Sequence, residues 1–341
     1  PIQIQQVVMN LLTNAAEANE RELAGLAEAF VGLNHGVLQA VSDFDMFDGK
    51  QRFDAEFDLV ERMARISGRP TSVSLMQRDQ DTDQWQRIMA RAERATANGT
   101  PIHMQVAARA IGVILGLETT FQPFMGFASY KSIAHLPLVD RVAAMRNPDF
   151  KAQLLTEKSE RLAGDGSPIP PLADMLLAQV DVIAMRMFTL GEIPDYEPSL
   201  ADSIGMRAKN RGEPVLSALY DALLENEGQA LLYFPLYNYI DGNLDNVHTM
   251  LSHPLALPGL SDGGAHVGTI CDATFPTFLL THWARDRKRG GFAIEKVVKM
   301  QTHDTARFIG MHDRGTLAVG QRADINVIDH ANLRLLPPQL V

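Results

Sequence analysis

Cysteine is almost missing from this 341-residue chain: Cys271 stands alone, which excludes an internal disulfide and a zinc site built from clustered thiolates. That scarcity fits a reducing compartment, and a cytoplasmic location is the expectation. Positive charge is also in short supply, with 31 Lys and Arg against 41 Asp and Glu and a net charge of -10. A basic footprint drives binding to nucleic acid and to anionic membranes, so neither is expected as a partner. No apolar run approaches the roughly 18 residues that a membrane helix needs. The first residues lack the basic-then-apolar order of a secretory signal. What remains is 46% hydrophobic and 21% charged, the make-up of an ordinary globular protein with a sizeable core.

Residues 1–18 place Ile4, Val7, Val8, Leu11, Leu12 and Ala15 on a stripe of period near 3.6, which predicts an amphipathic helix. Residues 1–19 are therefore set apart as an N-terminal, fusion-like element. From residue 21 the chain alternates helical stretches with short apolar strands, the pattern of a parallel sheet covered by helices. Helices over residues 21–30, 57–66 and 83–97 lead to strands at 36–41, 72–76 and 101–106. A proline-rich helical stretch at 116–226 then reads as an insertion. Afterwards come a strand-like stretch at 230–234, a helix at 244–251 and a fourth wall strand at 256–260, with helices at 275–285 and 294–300 and a terminal strand at 323–329.

The richest cluster is GLSDGGAHVGTICDA at 259–273. An apolar strand ends in Ser261-Asp262, Gly263-Gly264 permit a sharp turn, and His266 follows on the same rim. A carboxylate at the C-terminal end of a barrel strand suits a general base; the plainer alternative is a capping Asp beside a flexible turn. Asp262 and His266 are the catalytic candidates. His103 alternates with Ile102 and Met104 on the third strand, as either a metal or substrate contact or a polar residue on one strand face. Arg109 could hold an anionic group or make a surface ion pair. Tyr237, in an aromatic set with Tyr233, Phe234 and Tyr239, could line a pocket for an acyl or aryl group.

The stretches ERELAGLAEAF, LSDGGAHVGTICDATFPTFLLTHWARDR and TARFIGMHDRGTLAVGQRADINVID resemble the D-aminoacylase-like branch of the amidohydrolase superfamily. The resemblance implies an α/β fold, a partial (β/α)8 barrel over 20–341 with about four wall strands, corresponding to the C-terminal half of the family. It implies a hydrolase in which water attacks an acyl or phosphoryl centre of an amide, ester, lactone or phosphotriester. Asp262 would take the place of the aspartate that binds metal and shuttles a proton. Family histidines on two strands would fall near Gln39 and at Leu75, neither of which offers an imidazole. The implied cofactor is a divalent metal, zinc, held by Asp262, His266 and His103, with Asp43 or Asp45 as further candidates. Gln39, Arg109 and Tyr237 are the substrate contacts. A half barrel leaves open edges, so a homodimer is expected, and the alternative function is a catalytically silent fragment that folds as a dimer. Separately, QIQQVVMNLLTNAAEA resembles the ATP-binding helix of histidine kinases, with Asn14 at its magnesium position, but the glycine-rich boxes of that family are missing.

Overall fold

The computed structural model describes residues 9–10, 16–41, 52–164, 169, 171–265 and 267–340. Their strands, in chain order, are β1 (Met9–Asn10), β2 (Leu38–Val41), β3 (Thr71–Leu75), β4 (Ile102–Ala107), β5 (Ile111–Leu115), β6 (Phe188–Thr189), β7 (Leu232–Tyr237) and β8 (Ala256–Gly259). The chain forms two compact units. One comprises Pro1–Arg109, Leu244–Ser261 and Thr274–Arg334; the other comprises Ala110–Asn243, Asp262–Ala273 and Leu335–Val341.

In the first unit β1, β2, β3, β4 and β8 pair in that order, every pair parallel. A sequential parallel order is that of a barrel wall; a doubly wound sheet reverses order at a switch point. This unit is a partial β/α barrel, and its wall strands at 38–41, 71–75, 102–107 and 256–259 fall where the sequence predicts them. Three helices connect the first four strands: α1 (Ala16–Glu28), α2 (Phe53–Ser67) and α3 (Gln84–Ala97). On α2, Phe53, Phe57, Val60, Met63, Ala64 and Ser67 recur at helical spacing and are buried. Gly68 ends the helix with φ of 62°, a left-handed position that glycine occupies without strain, and its N–H closes on the Ala64 carbonyl at 3.0 Å. On α3 the inward stripe is Trp85, Ile88, Ala92 and Ala95. Arg91 joins the two helices: it lies 4.8 Å from the Phe57 ring centroid and donates to Asp54, Asp58 and Glu61.

Side chains alternate strictly across this sheet. Leu38, Val73, Ile102, Met104 and Val106 are buried, and Leu38 packs with Leu23, Ala27 and Met63 of α1 and α2. The other face carries Gln39, Ser72, Ser74, His103, Gln105 and Leu257, matched by the register Gln39 to Ser72, Ser72 to His103, Ser74 to Gln105 and Gln105 to Leu257.

The second unit holds a three-stranded antiparallel sheet in the order β5-β7-β6. Pro235 sits in its central strand opposite Gly112, beside a register shift, the kind of place where a strand tolerates a residue without an N–H. Its core gathers Phe124, Tyr220, Leu219, Leu223 and Leu232, and Tyr220 donates to the Met145 carbonyl at 2.8 Å.

Several expectations are corrected. The strand expected at 230–234 forms at 232–237, where it pairs with β5 and β6. The second unit begins at Ala110, before the expected insertion start, because β5 requires β7 as its partner. No strand forms at 323–329, where Ile325 and Val327 are 61% and 98% exposed: strand propensity without a neighbouring edge does not hold a strand. A helix through residue 18 is interrupted, since Met9 and Asn10 pair with Ala40 and Val41 on the edge of β2, and helix begins at Ala16. The rest of that element, with Asn14, lies outside the described residues.

Met104 is fully buried on the helix-facing side of β4. Met104→Ala is expected to lower unfolding stability by about 2–5 kcal/mol through lost burial and a residual cavity. A urea titration checks this, and an unchanged midpoint would contradict the assignment of this face to the core.

Candidate functional site

The polar face of the partial barrel is a connected hydrogen-bond ladder. Gln39 Nε2 donates to Gln105 Oε1 at 2.9 Å, and Gln105 Nε2 donates to Ser72 Oγ at 3.2 Å. Strand alternation aims these groups inward, and the register puts them on neighbouring strands. Most barrels of this type fill their interior with Val, Ile and Leu, so a ladder of amides and hydroxyls marks a departure from plain packing. Ser74 Oγ, on the same face, is buried and finds no hydrogen-bond partner among the described residues. Gly259 closes the ladder: a Cβ there would lie 3.1 Å from Gln105 Oε1. Sequence reasoning picked out Gln39 but missed Ser72, Ser74 and Gln105; the alternation of polar residues at 72 and 74 and at 103 and 105 was the signal.

His103 lies on this face toward the start of β4, its ring 4.9 Å from that of Phe308. Its Nδ1 is buried without a partner among the described residues, and burial holds its pKa below the ordinary histidine value. Arg109, just past the other end of β4, is fully buried. Its guanidinium sits 5.0 and 5.4 Å from the ring centroids of Phe275 and Phe278, and Nη1 donates to Thr274 Oγ1 at 3.0 Å. In this setting it ties β4 to the helix that opens at Phe275, and none of it is exposed to solvent.

Beyond β8 the backbone is strained. Leu260 and Asp262 have φ of 60° and 47°, a left-handed region that costs a leucine more than an aspartate. Two such residues around Ser261 turn the chain at the C-terminal end of a wall strand, and the Ala265 N–H closes the turn on the Asp262 carbonyl at 2.8 Å. Asp262 itself is exposed. In the second unit the segment that follows is stitched to β5: Ile114 N–H donates to the Thr269 carbonyl at 2.7 Å, Thr269 Oγ1 to the Ile114 carbonyl at 3.1 Å, and Thr120 N–H to the Gly268 carbonyl at 2.9 Å. Gly268 is required there, since a Cβ would lie 2.2 Å from Thr120 Oγ1. Cys271 lies 3.4 Å from the Tyr196 hydroxyl. Tyr237 ends β7 opposite Ile111, half-buried.

The structure therefore places Gln39 and His103 on one face of the first unit, Arg109 buried at its far end, and Asp262 and Tyr237 in the second unit. His266, Asp43 and Asp45 lie outside the described residues. Among the described residues no three His, Cys, Asp or Glu side chains come together as a metal cage would require. Apart from the His103 imidazole, the polar groups of the concave face among the described residues are amides and hydroxyls, which suit hydrogen bonding better than zinc ligation. Of the residues expected to hold a metal, His103 and Asp262 are the described ones, and they belong to different units. No helix among the described residues is long and apolar enough to cross a membrane.

A sequential parallel wall that ends in a strained, carboxylate-bearing turn is the architecture of a β/α-barrel protein. Residues 223–341 match the model of the Amidohydrolase family, a span that contains both the GLSDGGAHVGTICDA segment and TARFIGMHDRGTLAVGQRADINVID and agrees with the amidohydrolase resemblance read from them. Among solved structures the chain is similar to a D-aminoacylase described for the functional role of its binuclear metal centre, at 15% identity and a TM-score of 0.43. It is similar also to a D-aminoacylase variant in complex with copper(II) chloride, at 14% identity and 0.44, and to a D-aminoacylase described as defining a novel subset of amidohydrolases, at 16% and 0.44. Each covers 89% of this chain, while this chain covers 48% of each, so it spans about half their length. No curated protein matches the sequence.

The His103 environment predicts a pH dependence. A depressed folded pKa means that the unfolded state takes up a proton more readily, so stability falls as pH drops below the unperturbed value of 6.5. The urea midpoint is expected to decrease between about pH 7.5 and about pH 5.5, and His103→Gln should flatten part of that slope. Identical slopes in the two proteins would show that His103 is not held neutral by the fold.

Proposed function

We propose that this chain is a hydrolase of the amidohydrolase type, in which Asp262 serves as the proton-transferring base. The observation that carries this reading is the family match over residues 223–341, whose Asp262 segment sits on the strained turn after β8. A left-handed backbone at a carboxylate-bearing turn, at the end of a wall strand where barrel enzymes keep their catalytic groups, is the physical support. Water attacks the carbonyl carbon or the phosphorus of the substrate and gives its proton to the Asp262 carboxylate. The bond to the leaving nitrogen or oxygen then breaks, and Asp262 returns the proton to it. His266 and Tyr237 are proposed to help at the same reaction, and Gln39 is proposed as a substrate contact through its amide, which is joined to Gln105 and Ser72. A divalent metal, zinc by the resemblance of the sequence, belongs to the proposal, but no step is routed through it.

Reactive aryl esters and phosphotriesters are the substrates proposed for a site with so few ionisable donors, because stable amides have a higher uncatalysed barrier. A second reading, a catalytically silent protein, is favoured by one observation: beside the lone imidazole of His103, the concave face among the described residues bears the amides and hydroxyls of Gln39, Ser72, Ser74 and Gln105 where an acid–base site would carry carboxylates. Both readings include a homodimer, since among the described residues the outer edges of β1 and β8 have no strand partner.

Kinetics on matched amide, ester and phosphotriester substrates, with and without added divalent metal, separate the two. Asp262→Asn is expected to lower kcat by about 100-fold or more on any substrate turned over. Inactivity of the parent protein on all three substrate types establishes the silent reading instead. Light scattering should give twice the 37.6 kDa chain mass for parent and variant alike; a monomeric mass removes the dimer.

A further inference from the structure

A bowl in the first unit opens at the N-terminal ends of the wall strands. Pro70 precedes β3, Pro101 precedes β4 and Pro254 leads into β8, and all three line it. Its volume is about 500 Å³, within the usual range for small-molecule sites. The walls are apolar where Leu257 and Phe308 contribute, and these two residues also pack with Val37. Its charged groups are mostly of one sign: Arg65, Arg69 and Arg307.

These guanidiniums differ in how they are held. Arg69 is anchored to the backbone before β2, with Nη1 donating to the Leu33 carbonyl at 2.8 Å and Nε to the Gly36 carbonyl at 3.2 Å. Arg307 Nη1 lies 2.9 Å from His312 Nδ1, and neither Arg65 nor Arg307 has a carboxylate partner among the contacts of the described residues. The acidic residue of the bowl, Asp304, is already bridged by Lys299 and His303. The imidazole of His103, with its Nδ1 unpartnered, lines the same space. The opposing influence is the helix ends: α2, α3 and the helical stretch closing at Phe308 all finish here, each bringing about half a negative charge. Three full positive charges outweigh them.

We propose that this bowl binds a small organic anion, a carboxylate carried on an apolar aromatic or branched body, through Arg65, Arg307 and His103 with the body against Leu257 and Phe308. Guanidinium groups pair with an oxyanion through two parallel hydrogen bonds, and the apolar walls recover surface from water. The site does not depend on the proposed hydrolase chemistry, since it uses none of the residues proposed for that reaction.

Calorimetric titration of the full chain with sodium benzoate, its neutral isostere benzamide and inorganic phosphate tests the assignment. Benzoate is expected to bind at least about tenfold more tightly than benzamide, with Arg65→Met/Arg307→Met lowering its affinity by at least about tenfold and Arg65→Lys/Arg307→Lys retaining most of it. The lysine pair keeps the test valid if the methionine pair fails to fold, because benzoate binding must then survive with a steeper salt dependence. Absence of benzoate binding, equal affinity for benzamide, or binding indifferent to both substitutions overturns the proposal and leaves the arginines as counter-charges for helix ends. Phosphate binding as tightly as benzoate rejects the apolar body and with it the site as stated.

Discussion

The strict alternation of side chains along β2, β3, β4 and β8 is the constraint on which the first unit depends. With a period of two, each strand sends one set of residues to the helices and the other to the concave face. A slip of one residue in any pairing would exchange Leu38, Val73 and Met104 for Gln39, Ser72 and His103, burying amides beneath α1, α2 and α3. The cost of stranding those polar groups fixes the register, and the register in turn fixes which side chains can meet.

Once the register is set, the concave face divides along its length. The middle is the hydrogen-bonded run from Gln39 through Gln105 to Ser72, with Gly259 leaving room for the Gln105 amide. The C-terminal end runs into the left-handed turn at Leu260 and Asp262, and the N-terminal end opens into the bowl of arginines. Strain sits at one end of the strands and unspent positive charge at the other.

Burial separates structural from chemical roles among residues that look alike in the sequence. Arg109 and Arg307 are both arginines close to elements of the wall. Arg109 is enclosed between Phe275 and Phe278 and acts as a tie, whereas Arg307 is exposed at the rim of the bowl. In the second unit Gly268 shows the same principle for the backbone. Its missing side chain lets Thr120 approach, so a glycine that could pass for loop flexibility is a packing requirement.

The sequence by itself determined the barrel class, the four wall strands and the helices between them, because each signal is local: apolar periodicity, a glycine at the end of α2, and Asn98-Gly99 after α3. It also located the Asp262 segment, since a strand ending in Ser-Asp-Gly-Gly carries its turn chemistry in adjacent residues. Only the tertiary structure decided which edge accepts the strand at 232–237, that 323–329 has no neighbour to pair with, and that Arg109 is enclosed. It also decided that Gln39, Ser72 and Gln105 meet. Those outcomes join residues tens to more than a hundred positions apart, and a pairing partner, an enclosing ring or a hydrogen-bond acceptor supplied from that distance leaves no trace in the local pattern.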